Sequence, residues 1–585
     1  MKSHIKEKSR NFIENEKEFH LGFLPTEQPN TKTLTLDKAF MSSTEEGVRM
    51  LQSVDRDIVP MAERIFKSAE FLKMKSAIQD AVLSGHKVVF SGCGATGRLS
   101  ILLESMWRNF FIKLKTEKPD AHKLLSKYED SVLSIMTGGD FALVRSVESF
   151  EDYQEFGRQQ AREMDISSGD VIIAITEGGE TSSVLGTVQE SISRNAAAFL
   201  LFNNPAGLLS KHLQRSREAI DHPKVTVLDL YCGPMALTGS TRMQATTSEQ
   251  LVAGAALESA LNEIIRKECA SDVAETDYIS ELVKLLDELE KEETVSGISR
   301  YIEFEENIYR NNGLVTYYAN DYMLDIFTDT TERAPTFMLP PFRRCDDKNS
   351  QPSWAFVKNP TRTTPETWEF VLGRKPRCLK WEKDDYLKMG AEEKIVLNPP
   401  AVSCDDISKF LVGNEDDPSR LSSGLNAAVM VLGASEIKNA DFDKIESAFR
   451  KISGKYEKQA VLVIGGKHEE GKFNLPLKIG KSSLELMEHL AVKLALNTIS
   501  TGTMVRLGKV TGNWMSFVEV TNKKLLDRGT RIISSLCGIS YEQACEKLHE
   551  TLDEFLSSPP AVKTSPVQHT IQKIKNSAPQ RQSGD

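Results

Sequence analysis

An apolar run that stops at a glycine turn and restarts as an amphipathic helix constrains this chain more than any other feature. That order is how a parallel sheet builds its ligand-facing edge. The first instance is Val88-Val89-Phe90-Ser91-Gly92-Cys93-Gly94-Ala95-Thr96-Gly97-Arg98-Leu99, followed by an amphipathic stretch to Trp107. It sets backbone N–H groups and the Thr96 hydroxyl at a helix N-terminus, where an anion is favoured. No Gly-Lys-Ser/Thr follows at P-loop spacing, and the G-x-G-x-x-G spacing of a dinucleotide fingerprint is absent. One such turn alone is equally a tight strand-to-helix connection. A second occurs at Val171-Ile172-Ile173-Ala174-Ile175-Thr176-Glu177-Gly178-Gly179-Glu180-Thr181-Ser182-Ser183, and a third motif reads Thr238-Gly239-Ser240-Thr241-Arg242-Met243.

These three segments resemble the sugar isomerase (SIS) domain and, within it, the N-acetylmuramic acid 6-phosphate etherase and glucokinase regulatory protein family. The family patterns run roughly G-A-G-T-S-G-R, G-I-A-A-S-G-x-T and T-G-S-S-R-M-K. The resemblance extends to Gly138-Gly139-Asp140 through Glu151-Asp152, to Asn203-Asn204-Pro205, and to Leu496–Gly502 through Gly508-Lys509-Val510. Thr26-Glu27 with Asn30, and Val59-Pro60, match upstream. It implies an α/β chain of two tandem SIS domains, each a doubly wound, flavodoxin-like parallel sheet. A helical N-terminal lead-in and a small helical C-terminal tail complete the expected fold.

Composition excludes several classes. A net charge of -10 with no basic stripe argues against a nucleic-acid surface. Apolar runs such as Val171–Ile175 are too short to span a bilayer, and the basic N-terminus is followed by no apolar core, so neither membrane nor secretory signal is expected. The 8 cysteines are dispersed without a C-x-x-C pair, as reduced thiols of a cytoplasmic protein would be. No clustered pattern points to a metal, and no cofactor is called for.

With 585 residues, the chain exceeds a single core. The expected division is an N-terminal arm and helices over 1–75, with the first twenty residues frayed, then a first SIS domain over 76–268. A helical connector over 269–300 leads to a diverged second SIS domain over 301–515, with an insertion at about 339–392. A small helical domain over 516–558 and a disordered tail over 559–585 follow. Buried strands are expected at Val88–Ser91, Ser131–Met136, Val171–Thr176, Ala198–Phe202 and Val225–Leu228. The second half reads as a faded copy, with strands at Gly313–Tyr318, Ile395–Leu397, Ala428–Leu432 and Ala460–Ile464. There Ala319-Asn320-Asp321-Tyr322 replaces the glycine turn.

Both turns offer donors to a phosphomonoester: the backbone at Gly94, Ala95, Thr96 and Gly97, that at Gly178 and Gly179, and the hydroxyls of Thr96, Thr181, Ser182 and Ser183. The alternative is that these hydroxyls cap helices. The resemblance implies two catalytic glutamates. Glu151 matches the one in the family's G-A-E-D segment; otherwise it is a solvated helix residue. The other, in D-A-S-E-C-P-P, falls on Met106, which transfers no proton, and Glu104 lies on another helix face. Ten residues of helix span roughly 15 Å, so this glutamate serves a neighbouring unit more easily than its own. Asp329-Thr330-Thr331-Glu332-Arg333-Ala334-Pro335 keeps it as Glu332. Likewise the family's helix lysine is Gln250 in the first half and Lys493 in the second. These complementary losses predict one composite site between the halves, with Glu151 and Glu332 as catalytic pair and Lys493 balancing phosphate charge. Chance retention of a surface Glu and Lys is the competing reading.

Glu177 and Glu180 set carboxylates where an anion is expected, with Arg98 and Arg242 as compensating cations or structural partners. Arg333 is expected to crowd or neutralise Glu332. Trp354, Trp368 and Trp381 suit sugar stacking or the core. Three functions follow from the resemblance. The leading one is a lyase on the lactyl ether of N-acetylmuramic acid 6-phosphate or a related phosphorylated hexose or amino sugar, with Glu332 as general acid. The second is a non-catalytic sugar-phosphate sensor read by a sugar kinase, and the third an aldose–ketose isomerase.

Overall fold

The computed structural model describes residues 2–271, 273–422, 424–438, 441–468, 472–560 and 563–577. Its frame is two five-stranded parallel sheets. The first contains β1 (Val88–Gly92), β2 (Val132–Met136), β3 (Val171–Ile175), β4 (Ala197–Phe202) and β5 (Val225–Asp229), in the order β2-β1-β3-β4-β5. The second contains β6 (Val315–Tyr318), β7 (Ala355–Lys358), β8 (Ala427–Gly433), β9 (Lys458–Ile464) and β10 (Phe473–Leu475), in the order β10-β9-β8-β6-β7. Numbered within each half, both orders are 2-1-3-4-5, so the second half repeats the topology of the first. This is the doubly wound fold read from the sequence.

Strands covered on both faces have no solvent side to mark, so they read as unbroken apolar runs. Every residue of β1, β3 and β8 is buried. Register is set by Val88 opposite both Val132 and Val171, and by Val315 opposite both Ala355 and Ala427.

Helices join the halves. In chain order those that matter are α1 (Lys2–Asn15), α2 (Ala95–Glu117), α3 (Ser182–Ser193), α4 (Gln244–Cys269), α5 (Met323–Phe337), α6 (Leu486–Arg506), α7 (Lys523–Cys537), α8 (Tyr541–Ser557) and α9 (Pro566–Ser577). Helices α4 and α6 are buried over most of their length and touch each other. A side chain at Gly254 would come within 2.5 Å of Leu486 Cδ1, which is how close α4 and α6 lie. α5 rests on both α6 and α2. One hydrophobic cluster therefore runs from β1 and β3 through these helices to β8 and β9. Each fully buried Leu, Val or Ile in it contributes about 1.5–3 kcal/mol, so the halves share one core.

Several expectations are corrected. The supposedly frayed first twenty residues contain α1, whose Ile5, Ser9 and Phe12 form one buried stripe against α8. Within 559–585, expected to be disordered, α9 buries Val567, Thr570 and Ile571 against α7 and α8; residues 561–562 and 578–585 lie outside the described residues. The stretch at 339–392, expected as an insertion, supplies β7 and the helix Thr364–Leu372. Ile395–Leu397 is the end of a short helix, Glu393–Leu397, rather than a strand. No helix among the described residues is long and apolar enough to cross a membrane.

Candidate functional site

At the carboxyl end of β1 the chain turns through Gly94, at φ 56°, into α2. A Cβ on Gly92 would overlap the Thr96 carbonyl, so only glycine allows the helix to start so close to its strand. Thr96 Oγ1 accepts from Cys93 N at 3.0 Å and donates to Cys93 O at 2.9 Å, so this hydroxyl closes its own turn. The second turn passes through Gly179, at φ 83°, into α3. Thr176 Oγ1 donates to Thr181 Oγ1 at 3.0 Å, and Ser183 Oγ is shared with Thr137 Oγ1 at 2.9 Å. Ser183 is thus committed to the fold, contrary to its expected availability.

Between the two halves lies a cavity of about 180 Å³. At 10–15 Å³ per water, that is room on the order of a dozen waters. Gly94, Glu151, Ser240, Arg242, Glu332 and Lys524 line it. Two of its lining atoms, Ser240 Oγ and Arg242 Nε, are buried without a hydrogen-bond partner. A smaller cleft of about 20 Å³, formed by Glu151, Glu180, Thr181, Ser182, Arg215 and Lys524 among others, opens at the second turn. Glu151 and Lys524 border both.

Glu332 reaches across from α5 to the first turn, its Oε1 3.8 Å from the point where a Gly94 Cβ would stand. It is held there by Arg98 on α2. Arg98 is fully buried; Nε donates to Leu143 O and Nη2 to Ala142 O, both at 3.0 Å, which directs Nη1 onto Glu332. Burial pulls the Arg98 guanidinium below its usual range while the Glu332 charge opposes that. An arginine stays charged under such a shift. Arg333 turns the other way, onto Asp329 and Glu305, and does not crowd Glu332 as expected. Glu151 Oε1 accepts from Asn522 Nδ2 at 3.3 Å, and its carbonyl accepts from Ser183 N at 3.0 Å, which ties it to the start of α3.

Lys493 is corrected. Its ammonium is buried beneath the third motif, donating to Arg242 O at 3.1 Å, Met243 O at 3.3 Å and Thr247 Oγ1 at 2.7 Å. Burial drives its pKa down to about 7, against the pull of Asp55. It orients the Ser240–Arg242 wall and does not line the cavity.

The cation that reaches the cavity is one the sequence reading missed. Lys524, in the first turn of α7, donates to Glu180 Oε1 at 3.0 Å. Burial would lower its ammonium, but Glu180 and Glu151 outweigh that and raise it. Asn522 and Arg528 from the same segment also line the cavity. The available signal was Lys523-Lys524 at a helix start, where the dipole disfavours cations. Glu177 is largely buried; desolvation, with the Glu332 charge adding, lifts its carboxyl to about 8. Trp368 stacks on Phe327 and Trp381 on Phe150, so neither faces the cavity.

Residues 70–192 match the family model described as the glucokinase regulatory protein N-terminal SIS domain. The SIS resemblance is borne out. The matched SIS span carries both glycine turns and Glu151; Glu332 and Lys524 lie beyond it. The chain is 27% identical over 236 residues to N-acetylmuramic acid 6-phosphate etherase 1 of Bacillus licheniformis, covering 40% of this chain and 67% of the relative. It is 28% identical over 234 residues to the N-acetylmuramic acid 6-phosphate etherase of Clostridium acetobutylicum, with the same coverage of both chains. Among solved structures, tagatose-6-phosphate ketose/aldose isomerase from Escherichia coli superposes with a TM-score of 0.41 at 9% identity, over 83% of this chain and 99% of that one.

Proposed function

We propose that the cavity between the halves binds a phosphorylated hexose or amino sugar, and that the chain is a carbon–oxygen lyase acting on the lactyl ether of N-acetylmuramic acid 6-phosphate or a close relative. The observation that carries this reading is that Glu151 and Glu332, from opposite halves, border one cavity with Lys524. Kinship with proteins named etherases supports it. Lys524 and the donors of the glycine turns seat the phosphate. Glu332, held by Arg98 against the first turn, is assigned the base in place of the general acid expected from the resemblance. Glu332 then removes the proton next to the sugar's masked carbonyl, and the electron pair expels lactate from the neighbouring carbon. Glu151 protonates the departing oxygen, and water adds across the double bond that remains.

A second reading is a non-catalytic sensor whose partner, such as a sugar kinase, responds to sugar phosphate. The observation favouring it is the same Arg98–Glu332 pair, which joins the halves as a structural clasp. Lactate release from N-acetylmuramic acid 6-phosphate separates the two. The lyase reading expects turnover by the wild type and a loss of about 100-fold or more in Glu151→Gln and in Glu332→Gln. No lactate, together with thermal stabilisation by hexose phosphates, overturns the lyase in favour of the sensor.

A further inference from the structure

The second glycine turn already holds an anion. Glu180 belongs to that turn, yet its side chain folds back over it, and a Cβ on Gly178 would overlap Glu180 Oε2. The residue is 5% exposed. Its Oε1 accepts from Lys524 Nζ at 3.0 Å, while Oε2 is buried with no hydrogen-bond partner. The carboxyl stays ionised: burial raises its pKa, but Lys524 and Arg215 more than offset that and hold it below the usual range. Arg215 supports the turn from the other side, Nε donating to Glu180 O at 2.6 Å. The cleft left beside Thr181 and Ser182 is about 20 Å³, room for one water and no phosphoryl group.

Resting on the sugar-phosphate reading above, we propose that Glu180 is an internal counter-anion, seated where the phosphoryl group of a sugar phosphate belongs and holding Lys524 until that group displaces it. The half-satisfied carboxylate fits this role. A permanent structural ion pair at this burial needs both oxygens bonded, whereas one hydrogen bond with an orphaned partner oxygen is readily exchanged. Lys524 is the exchangeable element, because it borders the 180 Å³ cavity as well as the cleft. Glu180 thereby sets specificity. A ligand without a phosphate has nothing to offer Lys524 in return and leaves the pair intact. A phosphate monoester, with about -2 charge and three acceptor oxygens, replaces the carboxylate at Lys524.

The test is calorimetric binding of glucosamine 6-phosphate, glucosamine and inorganic phosphate to the full-length wild type, Glu180→Gln, Glu180→Asp and Lys524→Gln. Glu180→Gln should bind glucosamine 6-phosphate at least tenfold more tightly than the wild type while glucosamine binding stays the same. Tenfold corresponds to about 1.4 kcal/mol of relieved competition. Glu180→Asp, with a shorter arm and the same charge, should fall between them, and it serves if Glu180→Gln fails to fold. Lys524→Gln should lose the preference for the phosphorylated sugar. If the wild type binds glucosamine 6-phosphate and removing the Glu180 carboxylate leaves affinity unchanged or weaker, the counter-anion is overturned and the sugar-phosphate reading stands. If no variant binds the phosphorylated sugar, both fall.

Discussion

Replacing Arg98 by Met should be among the most damaging single changes near the cavity, and its size follows from the contacts. The side chain is fully buried and spends all three nitrogens, on the carbonyls of Leu143 and Ala142 and on Glu332. Breaking a buried ion pair by removing one partner destabilises by about 3–5 kcal/mol. Glu332, with its side chain 14% exposed, places this pair at the low end. Each carbonyl that loses its donor adds about 1 kcal/mol, for a total near 5 kcal/mol. Because the halves share one core, the 585 residues unfold together, and at about 2.1 cal/mol/K per residue each kcal/mol lowers Tm by about 1 °C. Arg98→Met should therefore drop the transition by about 4 °C in a calorimetric scan. Glu332→Gln leaves the guanidinium buried opposite a neutral amide, at a loss of about 3 kcal/mol. In the double variant that charge is gone, so the losses should fall short of additivity by about 2 kcal/mol. A melt of Arg98→Met within about 2 °C of the wild type, or a cycle additive to about 0.5 kcal/mol, refutes the clasp.

Two pH-dependent predictions concern other buried groups. Glu27 is buried, which would raise its pKa, but Arg528 and Arg531 on α7 overrule that and lower it to about 2. Its stabilisation, about 3 kcal/mol from a shift of this size, is complete above pH 4.5 and lost as pH falls through 2. Glu27→Gln should therefore be less stable than the wild type at pH 7, and the gap should close on acidification; a gap independent of pH contradicts the pairing. Lys493, lowered to about 7 by burial, binds fewer protons folded than unfolded between pH 7 and 10.5. The wild type should therefore gain stability relative to Lys493→Met as pH rises through that window, and an unchanged stability gap in urea melts at pH 7 and 10 would refute the lowered pKa.

What the sequence disclosed follows from what is local. The strands of the first sheet were legible because burial on both faces leaves apolar runs, and the turns because only glycine tolerates the closeness of Gly92 to Thr96. Glu332 was legible because Asp329–Pro335 resembles the family's D-A-S-E-C-P-P segment, whose glutamate falls on Met106 in half one. Lys524 was not, since nothing within Asn522–Cys537 says against which face of the molecule that helix docks. Lys493 was recognised as a special cation but given the wrong task, because a pattern of residue types does not reveal whether an ammonium ends on a ligand or on Arg242 O and Met243 O. Ile395–Leu397 is too short for periodicity to choose between strand and helix. Ala355–Lys358 is a genuine strand hidden among Pro, Arg and Trp.

The duplication also accounts for the geometry on which the proposed composite site rests. Helices α2 and α5 occupy the same place in their halves and lie side by side. Each presents residues to the other's turn: Glu332 on α5 meets the Gly94 turn, and Met106 on α2 lines a cavity with Asn320, Asp321 and Tyr322 at the end of β6. That second cavity, about 540 Å³, is the larger of the two, so space is not what it lacks. What it lacks is the glycine turn, replaced by Ala319-Asn320-Asp321-Tyr322. Asp321 stands in the turn that would receive the phosphate, and Glu436 accepts from Asp321 N at 2.9 Å, its own carboxyl lifted to about 8 by burial and by the Asp321 charge. Restoring the acid alone, by Met106→Glu, would add a carboxyl to the cavity that Asp321 lines without restoring the glycine turn. Met106 fills this space without adding to the Asp321 charge, which Lys113 and Arg362 partly offset.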